Sequence, residues 1–251
     1  MNASLAAVLP FRETTVELRD LQFAWRGAAP LLDIENLSIA RGERVFLQGA
    51  SGSGKSTLLG LLAGVLLPQR GAVRVLGNRI NDLRGAQRDR FRADHIGFVF
   101  QMFNLLPFLS VRENILLACR FSALRSQQVS ERGTLAAEAD RLLAALDLDP
   151  ALIGAKAVGE LSIGQQQRVA VARALIGAPE LVIADEPTSA LDADARAAFL
   201  GLLFAECQRA GTTLVFVSHD DSLAPRFDRR VALAEINRAA LPVRSARAAG
   251  R

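Results

Sequence analysis

The run Gly49-Ala50-Ser51-Gly52-Ser53-Gly54-Lys55-Ser56-Thr57 constrains this chain more than any other stretch. Its spacing, Gly-x-x-x-x-Gly-Lys-Ser, is that of a phosphate-binding loop. Val45-Phe46-Leu47 before it reads as a short buried strand, and Leu58 to Ala63 after it as a buried helix. Strand, loop and helix in that order are the context the spacing requires. Gly49, Gly52 and Gly54 let the backbone turn tightly and bring amide N–H groups onto phosphate oxygens. The new helix points the positive end of its dipole at the same anion. Lys55 supplies a full charge for the β- and γ-phosphates, and the Ser56 hydroxyl is a ligand for Mg²⁺. These features specify a nucleoside triphosphate and leave the use of its energy open.

The remaining sheet pattern is built around that loop. Thr14 to Leu21 alternates as a half-buried strand, and Leu31 to Ile39 and Arg44 to Leu47 read as two more. Phe23 and Trp25 precede a turn at Arg26-Gly27, and either ring can stack on an adenine, Trp25 being the better candidate. Ala72 to Leu76 and Ile96 to Phe100 read as strands. Gln101 sits at the carboxyl end of the second, where ligands bind in open α/β sheets. From about Met102 to Ala157 the pattern is helical: Ser110 to Cys119, then apolar residues at helical spacing over Glu131 to Leu148. Sheet pattern then returns with a helix over Gln165 to Ile176 and the apolar strand Leu181 to Ala184. A helix over Ala193 to Arg209 and strands at Thr212 to Val217 and Arg229 to Leu233 complete it. Alternating strands and helices imply a parallel sheet covered by helices.

Two strand ends carry further chemistry. Asp185, after four apolar residues, can hold Mg²⁺ beside Ser56, and Glu186 can act as general base on the attacking water. His219 ends the next buried strand and can bond the γ-phosphate. His95, in a charged stretch, reads as a surface residue.

Composition excludes several alternatives. Half the residues are hydrophobic and 22% are charged, a globular composition, and no uncharged apolar run of membrane-spanning length occurs. Met1 to Pro10 lacks the basic start of a secretion signal. Two isolated cysteines, Cys119 and Cys207, suit a reducing compartment and provide no metal cluster. The net charge of +4 lies largely in Arg238, Arg244, Arg247 and Arg251, so no nucleic-acid partner is expected.

Leu161-Ser162-Ile163-Gly164-Gln165, followed by Gln166-Gln167-Arg168, resembles the signature of ABC-type ATPases, Leu-Ser-Gly-Gly-Gln, with Ile163 in place of a glycine. The other motifs of that family fall in order. Trp25 matches the adenine-stacking position, Gln101 the Q-loop and Asp185-Glu186 the end of Walker B. Ser189-Ala190-Leu191-Asp192 matches the D-loop, and His219 the switch histidine. The resemblance implies a RecA-like P-loop NTPase core with a parallel sheet, an antiparallel β subdomain at the N-terminus and an inserted α-helical subdomain. It places the ATPase domain at residues 14–235, the helical insertion at about 102–160, and mobile termini at 1–13 and 238–251. It further implies ATP held by Trp25, by residues 49–57 and by Gln101, with Mg²⁺ on Ser56, Gln101 and Asp185 and with Glu186 and His219 catalytic. Two subunits would close head to tail, Ser162, Gly164, Gln165 and the D-loop Asp192 completing the partner's site.

A separate membrane permease follows from the same resemblance, with this chain at the cytoplasmic face of a prokaryotic inner membrane. Phe103 to Asn114 is similar to the branch holding lipoprotein-releasing and macrolide-export ATPases. Phe103, Leu105, Leu106, Phe108 and Leu109 are either permease contacts or core. An ATPase of an amino-acid importer is the alternative. A soluble ABC ATPase acting on DNA or translation would bring a coiled-coil arm, a cysteine cluster or a second cassette. A non-catalytic scaffold would not need Glu186 and His219.

Overall fold

The computed structural model describes residues 13–189 and 191–239. Two sheets carry the fold. In the first, β1 (Thr14–Ala24) pairs antiparallel with β2 (Pro30–Ala40) and β4 (Arg70–Val75), and β5 (Asn78–Arg79) adds a short edge. The pairing sets Leu18 opposite Leu37, Leu21 opposite Ile34 and Phe23 opposite Leu32. The inward phase of β1 changes midway, from Val16 and Leu18 to Leu21 and Phe23. Asp20 lies at φ 49° where the register with β4 shifts. Its carbonyl crosses Gly71 so closely that a Cβ there would sit 2.3 Å from the oxygen, so only glycine permits this bulge.

The second sheet is parallel: β3 (Arg44–Gln48), β6 (Ile96–Val99), β7 (Leu181–Asp185), β8 (Thr213–Val217) and β9 (Arg229–Ala232), in the order β6-β7-β8-β3-β9. Both faces are covered, which is why β7 and β8 read as unbroken apolar runs rather than alternating ones. Leu181, Ile183, Val215 and Val217 face a core shared with the antiparallel sheet and with helix α1 (Lys55–Leu62). Val182, Ala184, Leu214 and Phe216 face a second core, built with α7 (Ile163–Leu175) and α8 (Ala193–Ala210). The last short helix of the described residues, α9 (Leu233–Ile236), follows β9.

Helix α2 (Gly85–His95) leads into β6. Between β6 and α7 lie α3 (Val111–Phe121), α4 (Ala123–Ser130), α5 (Leu135–Ala145) and α6 (Pro150–Ile153). Ser110 and Glu113 form a capping box at the start of α3. The helical spacing over 131–148 resolves into a shorter helix, because Gly133 at φ 156° and the Thr134 cap set its start and Asp147 at φ 57° ends the segment. Two arginine joints fix these helices to α7 and α8. Arg125 of α4, 2% exposed, donates to the carbonyls of Ala174 and Ile176 at 3.3 and 3.4 Å. Arg141 of α5 pairs with Glu206 of α8 at 3.0 Å.

His95, expected at the surface, is partly buried. Its ring centroid lies 4.8 Å from that of Phe91 and its Nδ1 3.1 Å from Glu180 Oε2, because the end of α2 turns inward to start β6. Of the termini expected to be mobile, residues 1–12 and 240–251 lie outside the described residues, with Arg244, Arg247 and Arg251 among them. Glu13 accepts from Arg41 at 2.8 Å, and the Arg238 amide donates to Asp33 O at 2.7 Å. No helix of the described residues is long and apolar enough to cross a membrane.

Candidate functional site

Strands β6, β7, β8 and β3 end side by side, and the loops leaving them meet in a cleft of about 440 Å³. Its lining brings together Ser51, Gly52, Gly54, Lys55, Ser56 and Thr57 with Gln101, Asp185, Glu186 and His219, residues up to 168 positions apart in sequence (219 − 51). Gly54 at φ 101° makes the final turn before α1, and a Cβ there would sit 2.9 Å from Leu32. Helix α1 carries no acidic residue in its first turn, so its N-terminal dipole is uncompensated and suited to an anion.

Lys55 opens α1 and is 7% exposed. Its Nζ folds back over the loop and donates to Gly49 O at 2.7 Å and Ala50 O at 3.1 Å. Burial pulls the ammonium below the ordinary lysine range, and Glu186 and Asp185 oppose that shift. Ser53 Oγ is buried with no hydrogen-bond partner among the described residues, leaving an unspent polar group within the loop. The Ser56 hydroxyl donates to Asp185 Oδ2 at 3.3 Å. Burial pushes the Asp185 carboxyl up, against the Ser56 hydrogen bond and the charges of Lys55 and His219.

Glu186 follows β7 at φ 47°, a left-handed conformation unusual for a residue with a side chain. Its amide donates to Val217 O at 3.0 Å, which ties it to β8. Its Oε1 lies 2.5 Å from His219 Nε2. Four strand ends thus deliver a cation, an amide, two carboxylates and an imidazole to one space. The described residues contain no group of three or more His, Cys, Asp or Glu arranged to hold a metal. One hydroxyl beside one carboxylate is nevertheless the protein share that Mg²⁺ takes when phosphate and water supply its other ligands.

Other sequence candidates lie outside this lining. Trp25, just past β1, is 51% exposed and edge-on to Phe23, which is core at 5%. Ser162 and Gln165 form a capping box at the exposed start of α7: Gln165 N donates to Ser162 Oγ, and Ser162 N to Gln165 Oε1. Ile163 beside them is 59% exposed. Asp192 caps α8 and accepts from Ala195 N at 2.8 Å, while Ala190 of the D-loop lies outside the described residues. The apolar run after Gln101 divides: Phe103 and Leu105 pack on the core, whereas Phe108 is 78% exposed and the preceding Met102 is 81% exposed.

Arg173 escaped the sequence reading. From the last turn of α7 it donates to Phe103 O at 2.5 Å and Asn104 O at 2.7 Å, holding two consecutive residues at positive φ just after Gln101. A basic residue in a last helical turn is ordinary, so its spacing gave no signal.

Residues 32–189 match the family model described as ABC transporter. The ATP-binding protein LolD of a lipoprotein-releasing system in Xanthomonas oryzae pv. oryzae is 41% identical over 201 residues, 80% of this chain and 79% of LolD. The macrolide export ATP-binding/permease protein MacB 1 of Aeromonas hydrophila subsp. hydrophila is 42% identical over 79% of this chain. This chain spans only 29% of MacB 1. Among solved structures, the dimeric cassette MJ0796, a bacterial ABC transporter cassette, is 34% identical with a TM-score of 0.75, over 86% of this chain and 93% of that one. A second MJ0796 dimer, in a post-hydrolysis state with ADP and Pi, matches with a TM-score of 0.74. With a phosphate loop, a parallel α/β core and these likenesses together, the chain belongs to the ABC transporter family and is one of its ATP-binding, ATP-hydrolysing subunits.

Proposed function

We propose that two copies of this chain close around two ATP molecules and thereby drive a separate membrane permease of the lipoprotein-release or macrolide-export type, from the cytoplasmic face of an inner membrane. One observation carries this reading. Ser162, Gly164 and Gln165 start a helix with no acidic residue in its first turn, and they are absent from the lining of their own chain's cleft. A donor-rich helix start directed at no anion of its own chain is matched by an anion held on a second copy. That the similar cassette MJ0796 is dimeric supports an assembly of two copies.

In this reading residues 14–235 act as one ATPase domain, with a helical subdomain at about 102–160 set into it. Trp25 stacks on adenine, while the loop amides of residues 49–57 and Lys55 hold the phosphates. Ser56, Gln101 and Asp185 are the oxygen donors for Mg²⁺, whose role when bound is to neutralise phosphate charge. Glu186 takes a proton from the attacking water, and His219, 2.5 Å away, orients both. The permease contact is the groove of about 790 Å³ between α2, β6 and α3, where Phe98, Phe100, Leu117 and the 73% exposed Phe121 offer an apolar seat for a short permease helix.

Light scattering after size-exclusion chromatography of Glu186→Gln tests the dimer. The expected result is a monomer that becomes a dimer only with Mg-ATP. A monomer that persists with ATP bound, alone and with a co-expressed permease, overturns the reading.

Adenine stacking has a cheap readout. Trp25 is the sole tryptophan and the chain has no tyrosine, so intrinsic emission reports on Trp25 alone. Saturating ATP should change that emission. Trp25→Ala should weaken ATP binding roughly two- to tenfold, from the ~0.5–1.5 kcal/mol of an aromatic pair. Emission unmoved by ATP whose binding is confirmed calorimetrically would place the adenine elsewhere.

A further inference from the structure

Arg196, in the first turn of α8, reaches two loops at once. Its Nη2 donates to Leu191 O at 2.8 Å, in the loop that ends at Asp192. Its Nη1 is paired with Asp220 Oδ2, on the residue after His219. Asp220 is fixed from its other side, where its Oδ1 accepts from Ser222 N at 3.0 Å and from Ser222 Oγ at 2.6 Å. Leu191 also lies against the signature helix, since a methyl placed on Gly164 would sit 3.9 Å from Leu191 Cδ2. Bonded contacts therefore run from Leu191, which lies near the first turn of α7, through Arg196 to Asp220, the chain neighbour of His219, whose Nε2 lies 2.5 Å from Glu186. Arg196 itself is not in the lining of the nucleotide cleft.

We propose that Arg196 is a positioning residue: by clamping the main chain at Leu191 to Asp220, it makes the loop beneath the signature helix and the loop carrying His219 move as one body. The proposal rests on the reading that His219 and Glu186 serve hydrolysis, and adds how a nucleotide held at the start of α7 could set their geometry. The guanidinium is suited to this task because its planar fork bonds a carboxylate and a carbonyl simultaneously. A lysine would keep the charge and lose the fork.

The test is steady-state ATP hydrolysis by the full chain, comparing Arg196→Gln, Arg196→Lys, Asp220→Asn and the double variant Arg196→Gln/Asp220→Asn with wild type and His219→Ala. Arg196→Gln and Asp220→Asn should each lower kcat about tenfold, well within the ~100-fold that a misplacement of about 1 Å can cost. KM for ATP should stay within about twofold, because Arg196 does not line the cleft. The double variant should be no slower than either single variant, as expected for two residues acting through one contact. Arg196→Lys should recover part of kcat. Wild-type kcat in Arg196→Gln alongside a dead His219→Ala would overturn the proposal and leave the site reading standing. Full turnover in His219→Ala would remove the site reading and the proposal with it. A loss of kcat matched by a rise in KM and a lowered unfolding midpoint, unrelieved by Arg196→Lys and equally present in Asp220→Asn, would make Arg196 a merely structural residue and also overturn it.

Discussion

Glu186→Gln is expected to bind Mg-ATP nearly as tightly as wild type and to hydrolyse it on the order of 10²–10⁴ times more slowly, the usual contribution of a positioned general base. The substitution isolates chemistry from structure. Glutamine has the same shape, so the amide bond from residue 186 to Val217 O and the packing of β7 persist. The left-handed backbone at φ 47°, which costs about 1–2 kcal/mol, is equally strained with either side chain. What disappears is a carboxylate able to accept a proton, 2.5 Å from His219 Nε2. Strained residues collect at functional sites, where the surrounding fold over-determines them, and Glu186 is the one non-glycine residue in the cleft lining with a positive φ among the described residues. Single-turnover hydrolysis with radiolabelled ATP measures the effect directly. Turnover within about threefold of wild type would remove Glu186 as the base.

The same cleft separates what the sequence could reveal from what it could not. Parallel strands buried on both faces must be apolar throughout, so Leu181–Ala184 and Leu214–Val217 announced themselves, and the residue types at their ends pointed to the site. Which of Phe23 and Trp25 is buried was not legible in the sequence, because it depends on the bulge at Asp20. That bulge reverses the inward phase of β1 and buries Phe23, and it exists because Gly71, fifty-one residues away (71 − 20), lets a carbonyl pass. Helix α4 was equally silent: its eight residues include two serines, two glutamines and an arginine. Arg125 is buried only because carbonyls of Ala174 and Ile176 at the end of α7 receive it. Arg173 and Arg196 share that character. Arg173 bonds main chain in a distant loop and Arg196 joins a nearby carbonyl to a distant carboxylate, and main-chain acceptors leave no mark on the sequence that supplies them.

Lys55→Ala carries the second large effect, on binding rather than chemistry. ATP affinity should fall roughly 10- to 150-fold, equivalent to about 1.5–3 kcal/mol for a lost charge-assisted hydrogen bond. Two losses combine in that figure. The phosphates lose the one lysine charge in the cleft lining of the described residues, a charge that burial has already made costly to keep and that Glu186 and Asp185 offset. The loop also loses the donor that bonds Gly49 O and Ala50 O and so braces its turn. Removing the ammonium further leaves Asp185 and Glu186 facing incoming phosphate with less cationic compensation, so the loss should shrink as salt rises. Calorimetric titration of ATP at two ionic strengths checks both parts. Lys55→Arg should not restore affinity, because the larger planar guanidinium cannot replace the compact ammonium as a point charge on the phosphates in the buried position that Lys55 holds. Wild-type affinity in Lys55→Ala would mean that the loop amides and the α1 dipole bind the phosphates unaided, with Lys55 confined to bracing the loop.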